Sequence, residues 1–309
     1  MESVFIVALF QTVLAATWRL ATPLIYASVG ELFAERSGVL NIGLEGIMLF
    51  GAFAGFAAGV TTGSALLGLL AAITVGLLLG LLFALFTVTI KANQIVVGAA
   101  LNMIGLGLTG FFYRTWFSTT PKNAPTFPPV EIPLLSQIPI IGDIFFKHNI
   151  LVYATLLLEP LAAFVLYRTG FGLAVRSVGE HPKAADTVGI NVTRVRYACV
   201  LIGAALASIG GAFLTLAHTN MFVEGMVAGR GFIALAVVVF GRWKPWDVFW
   251  ASLLFGVFYG LQLHLQAMTN SIIPYHFWQA LPYLATLIAL VALRGAGAPR
   301  ALGVPYNAR

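Results

Sequence analysis

Seven polar or aromatic residues stand out by position: Asn41, Glu45, Asn102, His218, Asn220, Phe222 and Glu224 all lie in or beside long apolar runs. Ionisable groups in such runs are costly and are functional candidates by default. The chemistry open to them is recognition. An amide such as Asn102 suits the polar edges of a base or sugar, and an aromatic such as Phe222 can stack on a base. Asn41 and Glu45 are four residues apart, so on a helix they share a face. Glu45 follows Gly38 by seven residues, roughly 10 Å along a helix. Glu45 and Asn102 each admit two roles. Either they line a path for a polar solute, or they hydrogen-bond the interrupted backbone of a neighbouring element. His218, Asn220, Phe222 and Glu224 fall in a glycine-flanked stretch between Ala217 and Gly231, where irregular backbone is tolerated only against protein or water. They are candidates for pore lining or gating.

A second group is charged and local. Arg176 to Arg196 reads RSVGEHPKAADTVGINVTRVR. Pro182 suits a first helical position, where its missing N–H costs nothing. Glu180 stands just ahead of it, where the helix dipole favours negative charge. His181, before a proline, is biased to extended backbone. Lys183, Ala184, Ala185 and Asp186 supply helix formers with a small, flat alanine face. Gly189 is placed to end the helix with positive φ, and Ile190 to close that cap. The expectation is a short rigid surface helix of about two turns. No covalent chemistry follows from it; what it offers is a docking surface.

The elements that must hold these residues are membrane helices. Of 309 residues 60% are hydrophobic and 9% charged, against about 25% charged in soluble domains. Spans of about 20 apolar residues fall at Val4–Val29, Leu40–Val60, Leu66–Ile90, Ile95–Phe117, Ile150–Tyr167, Tyr197–Ala217, Trp246–Leu265 and Phe277–Leu293. Gly231–Gly241 is half a span. The fold class is therefore all-α: one polytopic membrane domain over 1–309, with about eight or nine transmembrane segments, some re-entrant or broken. Glycines four apart, such as Gly51/Gly55/Gly59 and Gly76/Gly80, let helices approach closely.

The net charge of +6 collects in short loops, the mark of topology rather than nucleic-acid binding. Arg168, Arg176, Lys183, Arg194 and Arg196 make 168–196 a cytoplasmic loop, joined by Arg36, Lys91, Arg242, Lys244 and the C-terminal arginines. The N-terminus and the 118–149 segment then lie outside. That segment holds six of the 14 prolines. No long helix runs through it, and Leu134, Leu135, Ile138, Ile140 and Ile141 are placed to dip into the headgroups. Trp243, Trp246 and Trp250 suit an interfacial belt. Asn93 and Gln94 are placed to cap a helix start. Cys199 reads as a small packing residue. The histidines show no metal-ligand spacing, and the start Met-Glu-Ser shows no cleavable signal pattern.

The order Arg176, Gly179-Glu180, Pro182, Ala184-Ala185 and Gly189-Ile190 resembles the coupling loop of ABC importer permeases in the simple-sugar, nucleoside and branched-chain amino-acid group. Ser37-Gly-Val-Leu-Asn-Ile-Gly-Leu-Glu-Gly46 resembles that family's N-terminal signature in its nucleoside branch. Gly229-Arg-Gly231, Ala234, Gly241 and Pro245 resemble its C-terminal one. Lys91-Ala-Asn-Gln with Leu101-Asn102 and Gly107 is a further match, and together the pieces span roughly residues 20–295. The resemblance implies a nucleoside permease subunit in a bacterial cytoplasmic membrane, with a simple-sugar permease as the alternative. It binds no cofactor itself. ATP and Mg would be used by a separate ABC ATPase subunit, of tandem-cassette type, docked at Glu180–Ile190; the chain carries no phosphate-binding GxxxxGK[ST] motif of its own. It also implies a second related permease and an extracytoplasmic solute-binding lipoprotein. The rival from another class is an ion-driven transporter using Glu45 or Glu224. A membrane enzyme would need a convergent acid, base or metal set, and the sequence offers none.

Overall fold

The computed structural model describes residues 2–117, 122–133, 135–138, 141–268, 280, 284 and 297–307. It is a helical membrane bundle. Helix α1 spans Glu2–Arg36 and runs on through Pro23. After it come α2 (Leu44–Thr62), α3 (Ala65–Ala84, prolonged by a π turn to Thr89) and α4 (Gln94–Phe117). Next are α5 (Ile141–Phe145), α6 (Ile150–Arg168), α7 (Gly170–Glu180) and α8 (Pro182–Thr187). The series closes with α9 (Val192–Phe213, prolonged by a π turn to His218), α10 (Arg230–Phe240) and α11 (Pro245–Met268).

Among the described residues six helices are long and apolar enough to cross a membrane: α2, α3, α4, α6, α9 and α11. Helix α1, about 50 Å long at 1.5 Å per residue, contains the expected first span. Helix α10 has 11 residues, the expected half-span. The expected span Phe277–Leu293 lies outside the described residues.

Helix α9 sits at the centre and packs on α1, α2 and α3. Its small residues explain why. A Cβ on Gly211 would overlap the Met48 carbonyl, and one on Gly51 would overlap Ser208. The α2 and α9 backbones are therefore in direct contact, as small residues permit within membranes. Ser208 donates its hydroxyl to the Ala72 carbonyl at 2.6 Å, tying α9 to α3 as well. Cys199 is buried in the core with Val29 and Leu32. Helices α3 and α4 turn apolar faces outward: Leu78 and Met103 are 61% and 76% exposed.

The two ends of the bundle differ. One carries Arg36, Lys91, the α7–α8 region, Arg242–Lys244 and residues 297–307, and is the basic end. At the other, the described residues between 122 and 149 form more than the loop anticipated. Strand β1 (Pro129–Glu131) pairs antiparallel with β2 (Lys147–Asn149), Val130 opposite His148. The Tyr153 hydroxyl donates to the Val130 carbonyl at 3.2 Å. Two further bonds, Ala124 N–H to the Asn220 carbonyl and Phe127 N–H to the Leu216 carbonyl, fasten this segment over the end of α9. Leu135, Ile138 and Ile141 are exposed; Leu134 and Ile140 lie outside the described residues.

Leucine at Gly211 is expected to lower the thermal unfolding midpoint in detergent, since overpacking a tight contact costs about 1–3 kcal/mol. A midpoint equal to wild type would show that α2 and α9 do not meet there.

Candidate functional site

Ser37 and Gly38 stop α1. Gly38 has φ +89°. The Val39 N–H reaches the Ala34 carbonyl at 3.0 Å and the Gly38 N–H the Glu35 carbonyl at 2.9 Å, the paired bonds of a Schellman cap. Residues 39–41 carry no regular structure, and only a turn at 42–43 separates them from α2 at Leu44. The expected span starting at Leu40 is thus corrected: α2 begins at Leu44, so Asn41 and Glu45 do not share a helical face. The physical reason is the glycine cap, which the sequence pattern alone did not distinguish from a packing glycine.

A break inside a membrane bundle exposes backbone groups that lipid cannot satisfy. Side chains from α1, from α4 and from the break itself satisfy them here. Gln94 Oε1 accepts from Leu40 N–H at 2.8 Å. Glu31 accepts from Asn41 N–H at 2.8 Å. Asn41 Oδ1 accepts from Gly43 N–H at 3.0 Å. Asn102 spans the break: its Oδ1 accepts from Gly46 N–H at 2.8 Å while its Nδ2 donates to the Ile42 carbonyl at 2.9 Å. Gln94, expected to cap α4, reaches across to the break instead; Asn93 does the capping, accepting from Ile95 N–H at 2.9 Å.

Glu45 joins this break to a second one. Helix α10 starts after Gly229, whose φ is +82° and which has no side chain to cap it. Glu45 Oε1 accepts from Gly229 N–H at 2.8 Å, and Oε2 from Gly231 N–H at 2.7 Å. A carboxylate from α2 thereby does the work of an N-cap and meets the positive end of the α10 dipole. Any side chain on Gly231 would overlap the Glu45 backbone, so the two helix starts are in contact.

The last turn of α1 holds the far end of α10. Glu35 accepts from Trp243 Nε1 at 2.5 Å, and Arg36 Nε donates to the Trp243 carbonyl at 2.8 Å. Trp243 is buried rather than interfacial, being drawn in by that carboxylate, whereas Trp246 and Trp250 are exposed.

The remaining polar candidates sit together at the end opposite the basic one. His218 closes the π turn of α9, and Asn220 has φ +54°. Phe222 is 1% exposed and packs on Phe53, Phe56 and Tyr113, with ring centroids 5.4, 6.1 and 5.1 Å away. It has no open face for a base in this structure. Glu224 takes two bonds from the Arg114 guanidinium, which holds its carboxyl below the usual range. The pair borders a cavity of about 460 Å³ lined by Leu106, Gly107, Gly110, Phe111 and Gly225.

At the basic end α8 covers Pro182–Thr187 with Pro182 at its first turn. Gly189 has φ +85°. Ile190 N–H bonds the Ala185 carbonyl at 3.0 Å and Gly189 N–H the Asp186 carbonyl at 3.0 Å, another Schellman cap. Ala185 is buried against Val178 and Val192, while Lys183, Ala184 and Thr187 face outward. As Gly179-Glu180-His181-Pro182 led one to expect, one element ends here and another starts; the first is helix α7, which Glu180 closes and whose Val175 and Val178 are buried. One expectation changes. Arg196 is not a solvated topology charge. It is 1% exposed, with Nε on the Ser37 carbonyl at 3.2 Å and Nη1 on the Val304 carbonyl at 3.0 Å.

Residues 13–291 match the family of branched-chain amino acid transport system permease components. The chain belongs to this permease family. It is 40% identical over 316 residues to the guanosine ABC transporter permease protein NupQ of Bacillus subtilis, covering 97% of this chain and 98% of that one. It is 39% identical over 312 residues to the nucleoside ABC transporter permease protein NupC of Lactococcus lactis, covering 97% and 98%. A glucose ABC transporter permease, TsgC13 of Haloferax volcanii, its assignment provisional, is 39% identical over 265 residues, covering 84% and 80%.

Sequence reasoning about this permease passed over Glu31, Glu35, Arg114 and Tyr306. Glu31 and Glu35 were findable: two acids four apart at the end of an apolar helix need partners. Arg114 and Tyr306 pair only through tertiary contact.

Glu45→Ala leaves two backbone N–H groups of α10 unpaired, each costing about 1–3 kcal/mol. It is expected to lower the unfolding midpoint and the yield of monodisperse permease, with Glu45→Gln milder because one acceptor oxygen remains. Size-exclusion profiles and thermal scans of both variants check this; equal stability of Glu45→Ala and wild type would refute it.

Proposed function

We propose that this permease is the membrane-spanning subunit of an ATP-driven importer for nucleosides, set in a bacterial cytoplasmic membrane with the basic end inward. The observation carrying this reading is the near-full-length identity of about 40% to NupQ and NupC. The capped, outward-facing α8 supports it: a short rigid helix suits receipt of motion from a soluble partner. That partner is an ABC ATPase with tandem cassettes, which binds the ATP and Mg. The outward apolar faces of α3 and α4 suit lipid and a second, related permease. A solute-binding lipoprotein would deliver the nucleoside at the opposite end, near the Arg114–Glu224 pair. Movement of α8 would then shift the two joined helix starts at Glu45 and switch access between the two sides.

Reconstituted with the ATPase and the second permease, the chain is expected to take up labelled guanosine only with ATP. Uptake that persists without an ATPase would overturn the reading in favour of an ion-driven transporter. Glucose competition decides between the two solute classes named by its relatives: the nucleoside reading requires that excess unlabelled nucleosides suppress uptake and that glucose does not.

Reversing the charges of Lys183 and Asp186 on α8 is expected to reduce ATP-driven uptake by at least about tenfold, the loss of roughly 1.4 kcal/mol of coupling, and to weaken ATPase co-purification. Uptake and co-purification both at wild-type levels would rule out α8 as the docking helix.

A further inference from the structure

Residues 297–307 lack regular secondary structure apart from a turn at 300–303, yet they are bonded at both flanks across the basic end. On one flank they hold α7 and α8. The Tyr306 hydroxyl donates to Asp186 Oδ2 at 2.7 Å, and the Tyr306 side chain packs on the Val178, Ala185 and Val192 cluster. The Ala301 N–H bonds the Gly179 carbonyl at 2.9 Å, and the Arg300 guanidinium lies 3.4 Å from His181 Nε2. On the other flank they hold the start of the broken segment. The Gly303 N–H bonds the Gly38 carbonyl at 3.1 Å. Buried Arg196 ties the Val304 carbonyl to the Ser37 carbonyl. Lys91 adds a bond to Asn307 Oδ1 at 2.8 Å.

We propose that segment 299–307 is a positioning element that carries displacement of α8 to Ser37–Gly38, and so to the break whose far side holds Glu45 and the start of α10. This deepens the reading of α8 as the ATPase-docking helix and rests on it. The physical case is the small footing of α8 on the bundle. Of its six residues only Ala185 is buried, so Tyr306, bonded to Asp186 and packed on the same apolar cluster, is a large share of its support. Arg196 fixes the other end, because its two bonds go to main-chain oxygens of Ser37 and Val304 together. A push on α8 therefore has a bonded route of few residues to the cap that ends α1. Substrate pathway and docking helix would be mechanically continuous through the C-terminal segment.

The test uses the complete complex of this chain, the ATPase and the second permease in proteoliposomes. Tyr306→Ala, and a chain ended after Leu302, are compared with wild type and with the milder Tyr306→Phe, which keeps the ring. Both severe variants are expected to retain the ATPase at wild-type stoichiometry and to hydrolyse ATP. Guanosine taken up per ATP is expected to fall at least about fivefold, the lower end of measured allosteric couplings, with Tyr306→Phe between them and wild type. Unchanged uptake per ATP in both severe variants would overturn the proposal. Loss of the ATPase from the variants would overturn it too, by making the segment a docking surface rather than a link. Failure of the wild-type chain itself to bind an ATPase or to need ATP would instead remove the permease reading on which the proposal stands, and the wild-type arm reports that separately.

Discussion

The hydrogen bonds of Asn102 and Glu45 to interrupted backbone are the contacts on which the rest of this bundle depends. An amide left unpaired in lipid costs several kcal/mol, so a helix can break inside a membrane only where protein supplies the missing partners. Residues 37–43 and the start of α10 are two such breaks. Asn102 closes the first by accepting from Gly46 and donating to Ile42. Glu45 closes the second by accepting from Gly229 and Gly231. Because Glu45 follows directly on the first break, its carboxylate ties the two breaks together.

That linkage gives the bundle a mechanical character. Around the joined helix starts, contacts are backbone to backbone: Gly211 on Met48, Gly51 on Ser208, Gly231 on Glu45. Surfaces this close do not deform gradually; they separate or they stay packed. The π turns ending α3 and α9 fall at the edges of this packed centre, where helix geometry is already relaxed. The basic end is tied to the same centre through Arg196 and Ser37. A family of permeases that must pass a polar solute without opening a continuous pore has use for such an arrangement, in which a few satisfied breaks replace a fixed channel.

Polar groups in this chain therefore divide by what they complete. Glu31, Asn41, Gln94, Asn102 and Glu45 complete backbone. Arg114 and Glu224 complete each other and border open space. Phe222 belongs with the packing residues, since Phe53, Phe56 and Tyr113 occupy its surroundings.

Sequence by itself determined the class, the main spans, the half-length of α10, and α8 with its proline start and glycine stop. Each follows from hydropathy length or from local backbone preference, which act over a few residues. It also marked Glu45 and Asn102 as important, because polar groups in apolar runs are expensive. It left open what they bond to. Only the tertiary structure decided that Asn41 and Glu45 lie on opposite sides of a break, that Trp243 and Arg196 are buried, that 170–180 is a helix, and that the C-terminal segment ties α8 to Ser37. Those outcomes are set by partners 56 to 208 positions away in the chain: Gly46 with Asn102, Gly231 with Glu45, Trp243 with Glu35. A side chain's cost in the membrane is written locally, whereas the group that relieves it is chosen by packing.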